Sequence, residues 1–482
     1  MLFNSTSFLL FLPVVFFLYW FASSKKLVLQ NSLLLLSSYF FYACWDWRFL
    51  FLLLFSTMLD YYTGIKMSDA PNKKARRIWF WLSVGVNLGF LGFFKYYNFF
   101  ALSFAEGIAN LGLHVDPWTL QVILPVGISF YTFHGLSYVI DIYNDKIKPE
   151  RNFVNYSVFV SFFPLLVAGP IERATHLLPQ IINPRVFNKA KAVDGLRQML
   201  WGFFKKIVIA DQCAGYANEI FNHSAHYSGS TLVLGALFFT FQIYGDFSGY
   251  SDIALGTAKL FGIDLLRNFA FPYFSRDIAE FWRRWHISLS SWFKDYLYIP
   301  LGGSKGGTWM QIRNTFIIFM VSGFWHGANW TFIAWGALNA IYFLPIMLAK
   351  KNRNHLEIVA QGKLFPSFRE LFSIAVTFAL TVLAWIFFRA NSMTHAFQYI
   401  KKICSASLLK MPKFAGMEGY LVTLLLIVVF MMVEWIGREN QFAIANIGKQ
   451  WRRPFRYAMY YALLITIFWF VGKEHQFIYF QF

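Results

Sequence analysis

The residue in this sequence best suited to catalysis is His326, which lies in the stretch SGFWHGANWTFIAWG, Ser322 to Gly336. Its neighbours are mostly aromatic, and a polar ring buried without partners costs roughly 1–3 kcal/mol on protein mutational scales. Ser322, His326 and Asn329 are spaced i, i+4 and i+7, with Gly336 further along the same face. A narrow polar stripe on an apolar helix faces protein or water rather than lipid. The spacing predicts one helix that holds His326 inside the protein, either for catalysis or as a packing histidine bonded to a neighbouring helix.

A second histidine, His286, lies in the stretch EFWRRWHISLSSWFKDYLYIPLGG, Glu280 to Gly303. Counted in helical steps, the polar face of this stretch carries Arg283, His286, Ser290 and Lys294. The apolar face carries Phe281, Trp285, Leu289 and Trp292. This pattern predicts an amphipathic helix that lies at the membrane interface. A basic helix that only anchors to lipid would explain Arg283, Arg284 and Lys294, but it has no need of His286.

Two aspartates follow an apolar run in the stretch YGDFSGYSDIALG, Tyr244 to Gly256. Asp246 and Asp252 are interpreted as helix caps or as partners for nearby cations, and a donor-binding role for Asp246 is the alternative. Gly245, just before Asp246, and Gly249, between the two aspartates, predict close packing against another helix.

Several other catalytic and metal-binding patterns are missing from the sequence. No histidine is followed five residues later by aspartate, and there is no Gly-x-Ser-x-Gly nucleophile elbow. The three cysteines, Cys44, Cys213 and Cys404, share no metal-like spacing and do not flank histidines as a thioester relay would require. The chemistry is therefore expected to rest on histidine, without a metal.

The composition indicates what kind of protein must position these residues. The chain is 57% hydrophobic and 14% charged, whereas soluble domains carry about 25% charged residues. Apolar runs lie at roughly 5–22, 28–45, 48–65, 78–100, 153–171, 231–244, 314–348, 371–388, 419–436 and 457–472. Several reach the ~20 residues that a helix needs to cross ~30 Å of hydrocarbon. Residues 1–482 are therefore predicted to form a single polytopic membrane domain, and the first run is too long for a cleaved signal peptide.

The net charge of +19 does not indicate nucleic-acid binding, because the cations lie in loops between apolar runs. The positive-inside rule interprets such loops as cytoplasmic. Lys25-Lys26 and the stretch NKKARR, residues 72–77, are two spans apart, so both fit the same side. This parity predicts that Ser24 and Ala70 face the cytoplasm, and that Asp46 and the N-terminus face outward.

The two histidine stretches resemble the membrane-bound O-acyltransferase family, and within it the subgroup of alginate and peptidoglycan O-acetyltransferases. LWGFFKKIVIAD (residues 200–211), DFSGYSDIALG (residues 246–256) and the opening MLFNSTSFLLFLPVVFFLYW fit the same subgroup. The resemblance implies an all-α fold, with a ring of about eleven transmembrane helices and short interfacial and re-entrant helices around a central funnel. It also implies that His326 is the family's deep histidine and His286 its second one. The location implied is a bacterial inner membrane.

The activity implied by the resemblance is transfer of an acyl group from a cytoplasmic thioester to a hydroxyl reached from the other side. The donor would be acetyl-CoA or another acyl thioester, with no tightly bound cofactor. Hydroxyl attack needs a base, and a neutral imidazole, with a reference pKa of about 6.5, can accept the proton near pH 7. An apolar setting keeps His326 neutral and so competent as that base, whereas His286 is assigned to positioning the donor.

The rest of the predicted site is a donor-binding set around these two histidines. Arg283, Arg284 and Lys294 are expected to attract the donor's phosphates. The remaining candidates are Trp285, Ser290, Ser322, Asn329 and Asp246. No loop is large enough to hold a polysaccharide, so acceptor recognition is assigned to a separate extracytoplasmic partner, an esterase-like or acetyltransferase protein.

Two alternative functions remain open from the residues. One is a transporter that moves a substrate through a central cavity without chemistry, although transporters often show inverted internal repeats and none is found here. The other is an acyltransferase acting on a lipid or protein hydroxyl.

Overall fold

A computed structural model describes residues 1–22, 26–120, 123–167, 169–472 and 477–478. Ser24 and Lys25, on which part of the predicted topology depends, lie outside the described residues. Those that are described form helices and connecting segments with no β-strand, so the predicted all-α class is confirmed. The chain groups into two compact units, one of residues 1–195 and 257–266 and the other of residues 196–256 and 267–482. Assignment of the whole chain to one domain stays a prediction.

The first unit contains nine helices in full among its described residues. They are α1 (Thr6–Phe17), α2 (Leu27–Ala43), α3 (Arg48–Ser68), α4 (Lys73–Leu91), α5 (Tyr97–Ala109), α6 (Ile128–Tyr143), α7 (Phe153–Ser161), α8 (Phe163–Leu166) and α9 (Ala174–Ile182). Two further helices, α10 (Lys189–Phe203) and α12 (Gly229–Leu260), contribute residues to both units.

The remaining helices belong to the second unit. They are α11 (Asp211–Asn222), α13 (Ile278–Arg284), α14 (Ile287–Phe293), α15 (Gly307–His326), α16 (Trp330–Leu348), α17 (Phe368–Arg389), α18 (Met393–Ile403), α19 (Tyr420–Ile436) and α20 (Arg453–Phe470). Short π-helical turns follow α1, α4, α10 and α14, at Leu18–Ala22, Gly92–Tyr96, Phe204–Ala210 and Lys294–Tyr298.

Four helical segments are long and apolar enough to cross a membrane: Lys73–Ala109, Gly229–Leu260, Trp330–Leu348 and Phe368–Arg389. Three shorter apolar segments accompany them, at Thr6–Ala22, Leu27–Ala43 and Tyr420–Ile436. These segments, found among the described residues, support the predicted multi-pass membrane protein. The ring of about eleven helices stays a prediction.

Buried ion pairs join α12 to the π-helical turn after α10. The ammonium of Lys205 lies 2.6 Å from a carboxylate oxygen of Asp252, and that of Lys206 lies 2.8 Å from Asp246. A β-carbon at Gly249 would stand 2.8 Å from the carbonyl oxygen of Gly202, so the two backbones approach closely there. The predicted close packing is confirmed, and of the two structural interpretations of Asp246, pairing with a cation is the correct one.

Helices α15 and α16 form an antiparallel pair that depends on two glycines. A β-carbon at Gly323 would overlap the carbonyl oxygen of Phe332, and one at Gly336 would overlap that of Phe319. Without side chains at these positions the two backbones can touch, as small residues allow between membrane helices. This contact fixes where the C-terminal end of α15, and hence His326, lies relative to α16.

Candidate active site

His326 is the last residue of α15, and the chain turns immediately after it. Gly327 is extended, with φ of −167° and ψ of 151°, and a β-carbon there would overlap the ring of Phe332. Asn329 then caps α16, because its side chain accepts a hydrogen bond from the backbone N–H of Thr331 at 3.0 Å. Asparagine is among the preferred residues at such a cap.

The prediction that Ser322, His326, Asn329 and Gly336 share one helical face is therefore wrong. Ser322 and His326 lie on α15, whereas Asn329 and Gly336 belong to the cap and body of α16. The polar spacing continues by coincidence across a break in the helix. The side-chain amide of Asn329 donates instead to the carbonyl of Asn391 at 3.1 Å.

The second histidine also lies at a break, so the single amphipathic helix predicted across Glu280 to Lys294 is wrong. Helix α13 ends at Arg284, and α14 begins at Ile287. Between them His286 adopts a left-handed backbone conformation, with φ of 44° and ψ of 54°, which is uncommon for a residue other than glycine.

Backbone pairing with a distant segment stabilises this break. The N–H of Ile287 donates to the carbonyl of Asn268 at 2.9 Å, and the N–H of Ala270 donates to the carbonyl of Arg284 at 2.9 Å. These bonds satisfy backbone groups that a continuous helix would have paired internally, so the break leaves few of them unpaired.

These two breaks bring the predicted catalytic residues together. The ring centroids of His286 and His326 lie 6.5 Å apart, and the two residues are 1% and 3% exposed. Trp325 contacts both rings, at 6.0 Å and 4.8 Å between centroids. Trp335 and Phe388 each lie 5.3 Å from the His326 ring. The result is a pair of imidazoles in an aromatic box, which can exclude water from a reaction between them.

His286 makes one described side-chain hydrogen bond, through Nδ1 to Oδ1 of Asn268 at 2.9 Å. Its ring packs edge-on against Phe247, with centroids 4.6 Å apart. In the sequence, His286 comes after α12 and before α15, and it lies outside the four helical segments that are long and apolar enough to span a membrane. Burial lowers the pKa of its imidazole to about 3. The imidazole is therefore neutral at physiological pH.

Asn268 was missed by the sequence reasoning. It follows Arg267 in the stretch RNFAF, residues 267–271, and no spacing ties it to the histidines. It is 1% exposed, and only the tertiary fold places it beside His286.

The two arginines predicted to bind the donor are engaged in contacts within the protein. Arg283 donates to the backbone carbonyls of Asn352 and His355, at 2.6 and 2.7 Å. Arg284 pairs with the buried carboxylate of Glu280 at 2.8 Å. These bonds give both arginines a structural role, whether or not a donor also reaches them.

The other members of the predicted donor-binding set are spread over the second unit. Lys294 lies in the π-helical turn after α14, with its side chain 62% exposed and 3.6 Å from Asp295. Trp285 is buried and lies 5.0 Å from Trp385 between ring centroids. The hydroxyl of Ser290 donates to the carbonyl of Trp285 at 3.4 Å.

Comparison with known proteins identifies relatives of this chain. Residues 145–386, which include both histidines, match the model of the membrane-bound O-acyltransferase family. The chain is 39% identical over 368 residues to a protein of Pseudomonas aeruginosa named "probable alginate O-acetylase AlgI", an alignment that covers 74% of this chain and 67% of the relative. It is 36% identical over 386 residues to a peptidoglycan O-acetyltransferase of Helicobacter pylori, covering 75% and 71%. A teichoic acid D-alanyltransferase of Bacillus subtilis is 27% identical over 301 residues, covering 58% and 72%.

Proposed function

This chain belongs to the membrane-bound O-acyltransferase family, and we propose that it moves an acetyl group from a cytoplasmic thioester toward a hydroxyl of an extracytoplasmic polysaccharide. The chain is an O-acyltransferase. The names of its relatives support acetyl as the acyl group and a polysaccharide such as alginate or peptidoglycan as the final acceptor. We propose acetyl-CoA as the donor, because it is a thioester that carries this group.

The observation that carries this proposal is the pair of buried imidazoles 6.5 Å apart. Attack of a hydroxyl oxygen on the thioester carbonyl forms a C–O bond, and the hydroxyl proton must leave as that bond forms. We assign the acceptance of this proton to His326, a contribution typically of 10²–10⁴-fold in rate. When the tetrahedral intermediate collapses, the C–S bond breaks and the proton passes to the departing thiolate.

The aromatic box around His326 supports this assignment. Trp335 stands perpendicular to the imidazole, with an interplanar angle of 90°, and Phe388 lies at 69°. These edge-on contacts hold the ring in one orientation without supplying a charge. A water-poor setting strengthens the electrostatic interactions that develop in the transition state and limits hydrolysis of the thioester.

The remaining parts of the proposal concern location and partners. The protein is assigned to a bacterial inner membrane with its N-terminus outside, because of the loop charges at Lys26 and residues 72–77. A separate extracytoplasmic protein, esterase-like or an acetyltransferase, is assigned the final delivery to the polysaccharide. Lys294 is the exposed cation of the predicted donor-binding set and is assigned to electrostatic attraction of the donor's phosphates.

The proposal is tested with the purified full-length chain in liposomes, given acetyl-CoA labelled in the acetyl group. The expected results are release of free thiol and, when a candidate extracytoplasmic partner is added, appearance of label on an added alginate oligosaccharide, with both lost in His326→Gln. Label that reaches lipid or protein instead would move the assignment to those acceptors. Uptake of intact acetyl-CoA into the liposomes without any thiol release would favour the transporter and overturn the proposal.

A further inference from the structure

Hydrogen bonds around His286 determine which of its ring nitrogens carries the proton. Oδ1 of Asn268 lies 2.9 Å from Nδ1 of His286 and also accepts from the hydroxyl of Ser288 at 2.9 Å. The backbone N–H of Ser288 points at the same oxygen from 3.4 Å. If the side-chain amide of Asn268 were flipped, its nitrogen would face the N–H of Ser288, so the oxygen is the atom beside His286. The amide nitrogen, Nδ2, donates to the hydroxyl of Ser251 at 3.1 Å. Since Oδ1 can only accept, Nδ1 of His286 must carry the proton.

The other ring nitrogen, Nε2, then holds a lone pair. Nε2 is buried, and no hydrogen-bond donor among the described residues reaches it. A buried acceptor left without a donor is destabilising, and such atoms in native proteins call for an explanation. The rings around His286 are those of Phe247, Phe269, Trp325 and His326.

We propose that Asn268 is a positioning residue for acyl transfer: it holds His286 in the Nδ1–H tautomer, so that Nε2 accepts a hydrogen bond from an N–H group of the acyl donor. This inference rests on the proposed function, because it needs a donor at this site. The pantetheine arm of coenzyme A carries amide N–H groups of the required kind. Asn268 acts through His286 and does not itself touch the substrate.

The low basicity of His286 suits a hydrogen-bond acceptor better than a general base. A base is most effective when its pKa lies near the working pH, and burial lowers that of His286 to about 3. An asparagine fixes the tautomer without adding a negative charge that would raise the pKa, which a carboxylate would do. Among the described residues, the titratable ring in contact with His286 is that of His326. The lowered pKa of His286 comes from burial, without a contribution from a charged side chain.

Charged residues lie on the other side of Asn268, where it lines a narrow crevice in the second unit. The crevice is also lined by Lys205, Asp252, Arg267 and Glu434. Arg267 makes its described hydrogen bond to the carbonyl of Phe269. Lys205 is paired with Asp252 at 2.6 Å, so Arg267 is the cation of this crevice that would favour the ionised form of an aspartate placed at position 268. This makes Asn268→Asp an informative variant, since it keeps an oxygen acceptor for Nδ1 and adds a charge.

The test measures the KM for acetyl-CoA and kcat from pH 5 to pH 8. Asn268→Ala leaves the tautomer unfixed, so we expect KM to rise about twofold to tenfold, the worth of one hydrogen bond, with kcat changed much less. Asn268→Asp should restore a KM near the wild-type value at pH 8. Its carboxylate should raise the pKa of His286 by about 1–3 units. Because protonation removes the Nε2 lone pair, KM of this variant should rise as the pH falls, whereas the wild-type KM stays flat.

A matched control is Asn339, another buried asparagine, whose side chain donates to the backbone carbonyl of Trp335 at 2.8 Å. Asn339→Ala and Asn339→Asp should lower thermal stability without giving KM a new pH dependence. If Asn268→Asp also shows a flat KM, or if Asn268→Ala loses folded protein but keeps the wild-type KM, Asn268 is only structural and the inference is overturned.

The tautomer is measured separately from activity, by ¹⁵N NMR of histidine-labelled full-length protein, with His286→Gln used to identify the signals of His286. The wild type should show a protonated Nδ1 and an unprotonated Nε2, and Asn268→Ala should lose this pattern. A protonated Nε2 in the wild type would refute the inference directly. Failure of the wild type to cleave acetyl-CoA would instead count against the proposed function, and the spectra would still decide the tautomer.

Discussion

Replacing His326 by glutamine and by alanine separates a catalytic role from a packing role. His326 is 3% exposed, and its ring contacts Trp325, Trp335 and Phe388 at centroid distances of 4.8 to 5.3 Å. Glutamine keeps much of the volume and the hydrogen-bonding capacity of the imidazole, but its amide cannot accept a proton near pH 7. Alanine removes the ring altogether and leaves a cavity in the aromatic box.

The expected magnitudes differ for the two substitutions. Loss of a general base costs 10²–10⁴-fold in rate, which at about 1.4 kcal/mol per tenfold is roughly 2.7–5.4 kcal/mol of transition-state free energy. A volume-conserving change usually costs less than about 1.5 kcal/mol of stability, so His326→Gln should remain folded. His326→Ala resembles a large-to-small core substitution, for which about 3–5 kcal/mol of unfolding free energy is typical when an aromatic ring is removed.

The assay is thiol release from acetyl-CoA per folded molecule, with folding followed by size exclusion and thermal unfolding. A suitable control is His134→Gln: His134 is also buried, and its Nε2 accepts a hydrogen bond from the backbone N–H of Glu172 at 3.1 Å. We expect this control to lose stability but to keep its activity per folded molecule. Folded His326→Gln protein that works at more than about a tenth of the wild-type rate would refute the general-base role, given the range expected of such a base.

Three further predictions concern the donor, the topology and the helix packing. Lys294→Glu should raise the KM for acetyl-CoA about twofold to fivefold, the effect expected of an exposed charge. Added salt should also raise the KM of the wild type, because it screens the same attraction. A KM that does not change with salt would leave Lys294 as a lipid anchor. Single cysteines at Ala70 and Asp46, in a background without native cysteines, should react with impermeant reagents from opposite sides of the membrane. If both positions are labelled from the same side, the assigned orientation is wrong. Gly323→Ala should separate α15 from α16 and reduce activity, at a typical overpacking cost of about 1–3 kcal/mol of stability. Gly85→Ala, where a β-carbon has open space, should be neutral. Equal effects of the two substitutions would argue against a special contact at Gly323.

The candidate histidines could be found from the sequence because each one interrupts an aromatic stretch in a strongly apolar chain. Their residue types and neighbours are local properties, and the same holds for the glycines that allow α12 to pack closely. The membrane character follows in the same way from composition and run length, without knowledge of the tertiary fold.

Sequence periodicity failed at both helix breaks. The bonds that interrupt the predicted helix at His286 come from Asn268 and Ala270, about 18 residues away along the chain. The spacing of Ser322, His326 and Asn329 suggested one helix, but the chain turns at Gly327, where the ring of Phe332 fills the space that a β-carbon would need. Periodicity records which residues share a face only while a helix continues, and it does not report where tertiary contacts end the helix.

The two breaks also bear on the different roles that we propose for these two chemically identical side chains. His326 ends α15, a helix of 20 residues, and the partial negative charge at a helix C-terminus favours a cation there by typically 0.3–1 kcal/mol. In the proposed mechanism, that field would stabilise the imidazolium formed when His326 accepts a proton. His286 precedes α14, where the partial positive charge of a helix N-terminus opposes protonation. Its Nδ1 is bonded to the neutral amide of Asn268, which adds no negative charge to offset this effect. Helix polarity and the neutral amide of Asn268 act in the same direction: they support the proposal that His326 accepts the proton while His286 stays neutral as a hydrogen-bond acceptor.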